Sequence, residues 1–453
     1  MKGVGTARPL FSFPWAAKKR GRSRPRPWLC GFMSWPWTTG SSGFSPLHCR
    51  GTRDIQPLLM FRVLASDDFP PFGKFWMEFP PVENKPAELA EVHLFTGVNG
   101  TGKTRLLALL AAVLKGDSAS KKRLKGATDG IGVFASRRLH AAGPGESQWQ
   151  RSKTHKEYMV FFDQDSAFQK WVGEVPAFAY DGTAYVSDAP IAVMAGVPRP
   201  DRADCLSFSR TGDHSAVLLQ AVANLKMQSA MDMMNESAGR GVTRAAQLVR
   251  AVEDVLTKIT GQQFLFNVTA YPQPALQVNW ANVEMPFDLL PDGLRSIIGW
   301  MVDAVVMMDA WLQGKGPLEE TEAVFLLDEV EGHLHPVWQR RVLPAFQRLF
   351  SKAQIFVATH SPFVISSLGH GWIHPLILEK DGKVKIKEPV PAKAGESYIS
   401  VIEDIMGLEE WYDPETEKLL AEFRAERDRA YQGDAEAKGK AVRLAEGLSA
   451  RSM

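Results

Sequence analysis

The stretch Gly97-Val98-Asn99-Gly100-Thr101-Gly102-Lys103-Thr104 decides the fold of this 453-residue chain. It is a complete G-x-x-x-x-G-K-T phosphate-binding loop in the context such a loop requires. The apolar run Val92 to Phe95 leads into it as a strand, and Leu106 to Leu114 follows as a helix. Glycines let backbone amides close around phosphate oxygens, Lys103 reaches the terminal phosphates, and Thr104 offers its hydroxyl to Mg²⁺. Further along, Phe325-Leu326-Leu327-Asp328-Glu329 is an apolar strand that ends in two carboxylates. Alone, the first motif is also compatible with a Gly-rich turn and the second with a helix N-cap pair. Together, in this order, they point to nucleotide hydrolysis.

Composition narrows the classes. Net charge is +2, but residues 1–59 hold ten Lys/Arg against the single acid Asp54, so they carry +9 and the remainder −7. An acidic body removes any global argument for nucleic-acid binding. The basic patch Lys121-Lys122-Arg123 with Lys125 reads as a solvated loop. Of three cysteines, Cys30 and Cys49 lie in the basic leader and only Cys205 in the body, which excludes a disulfide framework or a cysteine metal cluster. A reducing, cytoplasmic setting is expected. The longest apolar stretch, Ile297 to Leu312, contains Asp303 and Asp309 and reads as a buried helix, so no membrane association is expected.

Five regions follow from patterning. Residues 1–59, rich in Arg, Pro, Ser, Gly and Trp, read as a disordered leader or as sequence upstream of a true start at Met60. Residues 60–197 form the N-terminal part of the core. A strand is expected from Lys74 to Phe79, giving an antiparallel β start. Residues 116–155 read as a polar surface excursion with weak strand signal at Ile131 to Phe134, and Tyr158 to Phe162 and Ala177 to Val186 as further strands. Residues 198–262 read as a helical insertion, with helices over Ala216 to Met234 and Val242 to Ile259. Residues 263–392 complete the core with strands at Phe264 to Val268, Leu276 to Trp280 and 323–329. A helix from Pro336 to Phe350 and a strand from Gln354 to Ala358 close that region. Residues 393–453 read as a helical tail, with Gly433 and Asp434 separating its last two helices as stop and new N-cap.

Hydrolysis of a γ-phosphate needs a second Mg²⁺ anchor, a group that activates water, and a group that senses the phosphate. Asp328 is placed to hold the metal. Glu329 follows on the other side of the strand tip, where it can take a proton from water. His360, in Ala358-Thr359-His360-Ser361-Pro362-Phe363 at the end of the next strand, can hydrogen-bond the γ-phosphate.

With Leu327-Asp328-Glu329-Val330-Glu331-Gly332-His333-Leu334-His335-Pro336, these motifs resemble the ABC-type ATPase heads of the overcoming-lysogenization-defect (OLD) and AAA-15/AAA-21 group. Those heads are similar in turn to the SMC, Rad50 and RecF proteins. The resemblance covers about residues 60 to 380. It implies an α/β P-loop fold of ABC-ATPase type, with a mixed sheet, an antiparallel β start, a helical insertion and a helical C-terminal tail. It also implies ATP and Mg²⁺ as cofactors and a homodimer closed around ATP. Gly97, Asn99, Gly100, Thr101, Gly102, Lys103, Thr104 and Arg105 would bind nucleotide, Thr104 and Asp328 the metal, and Glu329 and His360 would be catalytic. A signature loop from the second subunit matches Leu290-Pro291-Asp292-Gly293-Leu294-Arg295-Ser296. Its family form begins Leu-Ser-Gly-Gly, so the serine is absent here. Gly293 and the helix N-terminus remain to meet the phosphate, and Arg295 or Ser296 to supply the lost contact.

Three departures narrow the resemblance. His335 stands where transporter-type heads carry an aspartate. The glutamine that links metal to partner movement has no match in Gln164 or near Asp188. Leu378-Glu379-Lys380-Asp381-Gly382 reads as a turn, and no Asp-x-Asp follows, so the nuclease domain of OLD proteins is not expected. The tail instead resembles the stand-alone ATPases of anti-phage systems such as Septu, which implies a separate effector, for example an HNH nuclease, docking on it. Two alternatives stay open: a RecF- or SMC-like repair ATPase that clamps DNA, and a nucleotide switch that does not hydrolyse.

Overall fold

The computed structural model describes residues 60–114, 131–136, 149–154, 158–163, 166–184, 186–187, 191–192, 205–208, 214–235, 242–269, 273–408 and 412–451. The leader, the patch at 121–125, Gln164 and Asp188 lie outside them.

The centre is a parallel sheet. Strands β3 (Glu91–Thr96), β11 (Ala323–Asp328) and β12 (Ala353–Ala358) are buried at all six positions each, as strands covered on both faces must be. With β7 (Ala177–Asp181) and β13 (Trp372–Leu378), they run parallel in the order β13-β3-β12-β11-β7. The short β14 (Val384–Ile386) and β15 (Val390–Pro391) pair antiparallel with β13 at that edge.

Alternate residues of the sheet feed two cores. Val324, Leu326, Phe356 and Ala358 face helix α1 (Lys103–Val113), whose Leu106 to Val113 are all buried. A second sheet, of β2 (Gly73–Glu78), β1 (Val63–Phe69), β4 (Ile131–Ser136), β6 (Tyr158–Asp163) and β5 (Trp149–Thr154) in that order, shares that core; its β1–β2 hairpin is the antiparallel start. Phe325, Leu327, Ile355 and Val357 face the opposite core. There α5 (Asp292–Trp311) and α6 (Pro336–Leu349) pack with α3 (Ser215–Asn235) and α4 (Arg244–Thr260). The third sheet is the antiparallel meander of β8 (Phe264–Thr269), β9 (Ala275–Trp280) and β10 (Val283–Pro286).

Two expectations need correction. The 116–155 excursion contributes β4 (Ile131–Ser136) and β5 (Trp149–Thr154) to the second sheet, through long-range pairing with β1 and β6 (Tyr158–Asp163). Local polarity conceals such strands because tertiary partners stabilise them. The strand expected to reach Val186 ends at Asp181, where Gly182 and Thr183 turn the chain. The tail is a helical hairpin, α9 (Pro414–Tyr431) on α10 (Ala435–Arg451). Asp434 caps α10 by accepting from the Glu436 and Ala437 N–H groups at 3.0 and 3.1 Å. Helices α2 (Ser166–Glu174), α7 (Pro362–Ser367) and α8 (Tyr398–Ser400) are short; α8 runs on into one π-helical turn through Ile405. Among the described residues no helix is long and apolar enough to cross a membrane.

Beneath the phosphate-loop strand lies a buried polar chain. His93 Nε2 donates to Glu91 Oε1 at 3.0 Å, so its Nδ1 accepts from His374 Nε2 at 3.1 Å, and both imidazoles are neutral. Burial pushes Glu91 up, but hydrogen bonds from His93 and Arg62 and the Arg62 charge outweigh it and hold its pKa near 2. Burial drives both histidines below their usual 6.5, His374 well below it. Unfolded chain therefore takes up protons first: stability is complete above pH 6.5 and falls as pH drops below that value. Denaturant unfolding at stepped pH should show a loss of up to about 1.4 kcal/mol per pH unit for each imidazole. His374→Phe should flatten the slope, and a stability independent of pH between 7.5 and 5.5 would contradict the assignment.

Candidate functional site

Register brings the motifs together. Asp328 pairs with Ala358 on one side and Asp181 on the other, and Ala358 pairs with Phe95, so four strands end in one row. The phosphate loop, the Glu329 turn, the Thr359-His360 turn and the Gly182 turn all leave that edge, where open α/β sheets bind ligands.

Gly102 caps α1 at φ 82°, a left-handed conformation open to glycine, which turns the first amides of the helix into the loop. Phe72 and Pro71 of the β1–β2 turn lie 2.9 and 3.1 Å from where a Gly102 Cβ would stand, so this turn lies against the loop. The Lys103 ammonium donates to Gly97 O at 2.8 Å and Val98 O at 3.3 Å. Burial lowers its pKa, while Glu329, Asp328 and Glu331 pull the other way. Thr101 is buried and its hydroxyl donates to Val98 O at 2.9 Å, whereas Asn99 and Gly100 are exposed at the loop tip. Thr104 Oγ1 donates to Asp328 Oδ1 at 2.9 Å, across 224 residues of sequence. A hydroxyl and a carboxylate held together at the loop mouth are a donor set suited to Mg²⁺. Arg105, expected at the nucleotide, has its guanidinium 4.9 Å above the Phe69 ring, and burial lowers its pKa.

Glu329 sits at φ 47° in the left-handed region, strain of a kind that gathers at functional sites. Its N–H donates to Ala358 O at 2.8 Å, tying it to the neighbouring strand. His360 Nδ1 lies 3.7 Å from Glu329 Oε1. A cleft of about 300 Å³ opens between Glu329, Glu331, His333, Gln339, His360 and Phe363.

The signature segment is placed differently from expectation. Gly293 is buried, with His333 O only 2.5 Å from where its Cβ would stand. Ser296 turns inward, 1% exposed, its hydroxyl donating to Gly182 O at 2.7 Å. Both are held by contacts within the chain, while Pro291 and Asp292 are exposed and Asp292 is paired with Arg295. His335 caps α6, accepting from Val337 N–H at 3.3 Å.

Two acids escaped the motif search. Asp181 ends β7 in register with Asp328, and its carboxylate accepts from Thr183 N–H and Oγ1 at 2.9 and 2.6 Å. Its signal was an apolar strand ending in an acid, the pattern that Asp328 also shows. Glu331 was quoted within a motif without a role.

Residues 281–366, spanning the signature segment, Asp328-Glu329 and His360, match the AAA_21 family model, described as "AAA domain, putative AbiEii toxin, Type IV TA system". Septu protein PtuA of Bacillus thuringiensis is 26% identical over 156 residues, 33% of this chain and 39% of that protein. The retron Ec83 probable ATPase of Escherichia coli is 31% identical over 94 residues, 20% of this chain and 17% of that protein. The chain thus spans well under half the length of these curated relatives. Among solved structures, the SMC head domain from Thermotoga maritima aligns over 74% of this chain and 99% of that one, at 15% identity and a TM-score of 0.35. Over these stretches the chain is similar to the Septu and retron ATPases, and it carries them on an α/β fold with a phosphate-binding loop.

The close turns make a structural prediction. An alanine Cβ at position 182 would stand 2.2 Å from Glu329 O, and one at 332 would stand 2.7 Å from Gly182 O. Gly182→Ala should lower unfolding stability by about 2 kcal/mol, because backbone and not a flexible side chain must yield. Calorimetry against the open-space control Gly439→Ala checks it.

Proposed function

We propose that the chain binds ATP with Mg²⁺ and hydrolyses it in a site shared by two copies, and thereby controls a separate effector in anti-phage defence. The observation that carries the hydrolytic reading is the 2.9 Å contact of Thr104 with Asp328, with Glu329 and Lys103 beside it. Thr104 and Asp328 would hold Mg²⁺, which supplies charge neutralisation on the phosphate oxygens when bound. Gly97 to Thr104 cradle phosphates through backbone amides, and Lys103 exchanges its loop carbonyls for phosphate oxygen. Glu329 orients water and takes its proton, while His360 donates toward the γ-phosphate. The second copy meets this face with the loop Leu290 to Ser296, of which Arg295 is the cationic member.

The defence reading rests on the relatives' names, a Septu protein and a retron ATPase. The effector would be a partner such as an HNH nuclease, with the α9–α10 hairpin as its dock. Salt-sensitive, ATP-dependent binding of duplex DNA by the isolated chain would favour the clamp reading instead.

Glu329→Gln keeps the shape and removes the base. It should bind ATP, accumulate as a dimer on size exclusion, and lose turnover by about 100-fold or more. Lys103→Ala should lose nucleotide binding itself. Hydrolysis that survives Glu329→Gln unchanged would remove the assigned mechanism.

A further inference from the structure

Glu331 has no role in the reading above, yet its surroundings are those of a working group. It lies two residues past Glu329, its side chain 5% exposed. Its Oε1 accepts from the Thr359 hydroxyl and from the His360 backbone N–H, the latter at 3.0 Å. The Thr359 oxygen in turn accepts from Ser361 N–H at 3.0 Å, so one carboxylate oxygen organises the whole Thr359-His360-Ser361 turn. Its second oxygen is buried and has no hydrogen-bond partner among the described residues. His360 Nδ1 stands 3.7 Å from Glu331 Oε1 and 3.7 Å from Glu329 Oε1, poised between the two acids.

Packing alone gives no reason for a carboxylate here. A buried, half-satisfied acid costs free energy that an apolar side chain would not. The contacts it makes span two strands: Glu331 belongs to the exit of β11, and its donors to the exit of β12. His360 itself is half exposed, its ring set by its turn and facing the two acids.

We propose that Glu331 is a positioning residue for hydrolysis: from the turn that carries Glu329, it clamps Thr359 and His360 and so fixes the His360 imidazole against the Glu329 carboxylate. The proposal rests on the ATPase reading of the same site. It differs from a structural role in what it predicts, because misplacing His360 damages the chemical step while the phosphate loop, and hence binding, is intact.

The test is steady-state ATP turnover by wild type, Glu331→Ala, Glu331→Gln, His360→Ala and the double variant Glu331→Ala/His360→Ala, with amide exchange across residues 359–361. Glu331→Ala should lower kcat about 30-fold with KM within about threefold. Glu331→Gln retains an acceptor for both donors and should recover to within about fivefold of wild type, with the His360 amide protected. In the His360→Ala background, Glu331→Ala should add less than about twofold, since the two act as one unit. Thr359→Val removes one donor at nearly constant volume and should give an intermediate loss, which serves if Glu331→Ala does not fold. An unchanged kcat in Glu331→Ala, a rise in KM in place of the kcat loss, or losses that multiply in the double variant would overturn the clamp. A wild type without turnover sinks the ATPase reading, and amide exchange then decides the clamp separately: unchanged exchange at His360 in Glu331→Ala overturns it.

Discussion

The parallel register Asp181–Asp328–Ala358–Phe95 is the constraint on which the rest depends. Each of these strands sends alternate side chains into one of two cores, so a slip of one residue would exchange the faces and draw Asp328 into apolar surroundings. Because the two cores hold the register, four turns from distant parts of the chain leave the sheet at one level. The Thr104–Asp328 hydrogen bond is the local sign of that alignment.

Glu329 adopts a left-handed backbone that costs roughly 1–3 kcal/mol for a residue with a Cβ. Gly182 and Gly332 let the turns after β7 and β11 touch backbone to backbone. Ser296 and Tyr180 then tie the β7 end to α5: the serine hydroxyl donates to Gly182 O, and the tyrosine hydroxyl to buried Asp303 at 2.8 Å. Helix α5 and the acidic turn are thereby tied together through the end of β7.

The other buried polar group, Arg62-Glu91-His93-His374, stands on the far side of the phosphate-loop strand. Gln354 joins it by donating to Glu91 Oε1 at 3.0 Å and to Phe61 O at 3.0 Å. This network links β12, β3 and β13 to the chain entering the second sheet. It adds directional contacts to an aromatic core in which Phe79 and Phe356 pack on His93 and Phe95 packs on Phe356 and His374.

The phosphate loop, the acidic strand, the histidine turn and the buried helix with its two aspartates were legible in the sequence, because each is a local pattern of residue type and spacing. So was the antiparallel start, from the alternation after Met60. The strand Ile131–Ser136 showed only a weak signal and Trp149–Thr154 none, since their stability comes from partners far along the chain. Glu331 was hidden, because what marks it is the donors across from it and not its neighbours in sequence, and Asp181, an acid at the end of an apolar strand, is singled out only by its register beside Asp328. Gly293 and Ser296 resembled outward-facing signature residues, and only packing against His333 and Gly182 turned them inward. The sequence by itself determined which chemical groups are present and the order in which strands deliver them. The tertiary structure alone decided which of those groups face one another, since distance between strands is set by register and by the two cores, and neither is written in any single segment.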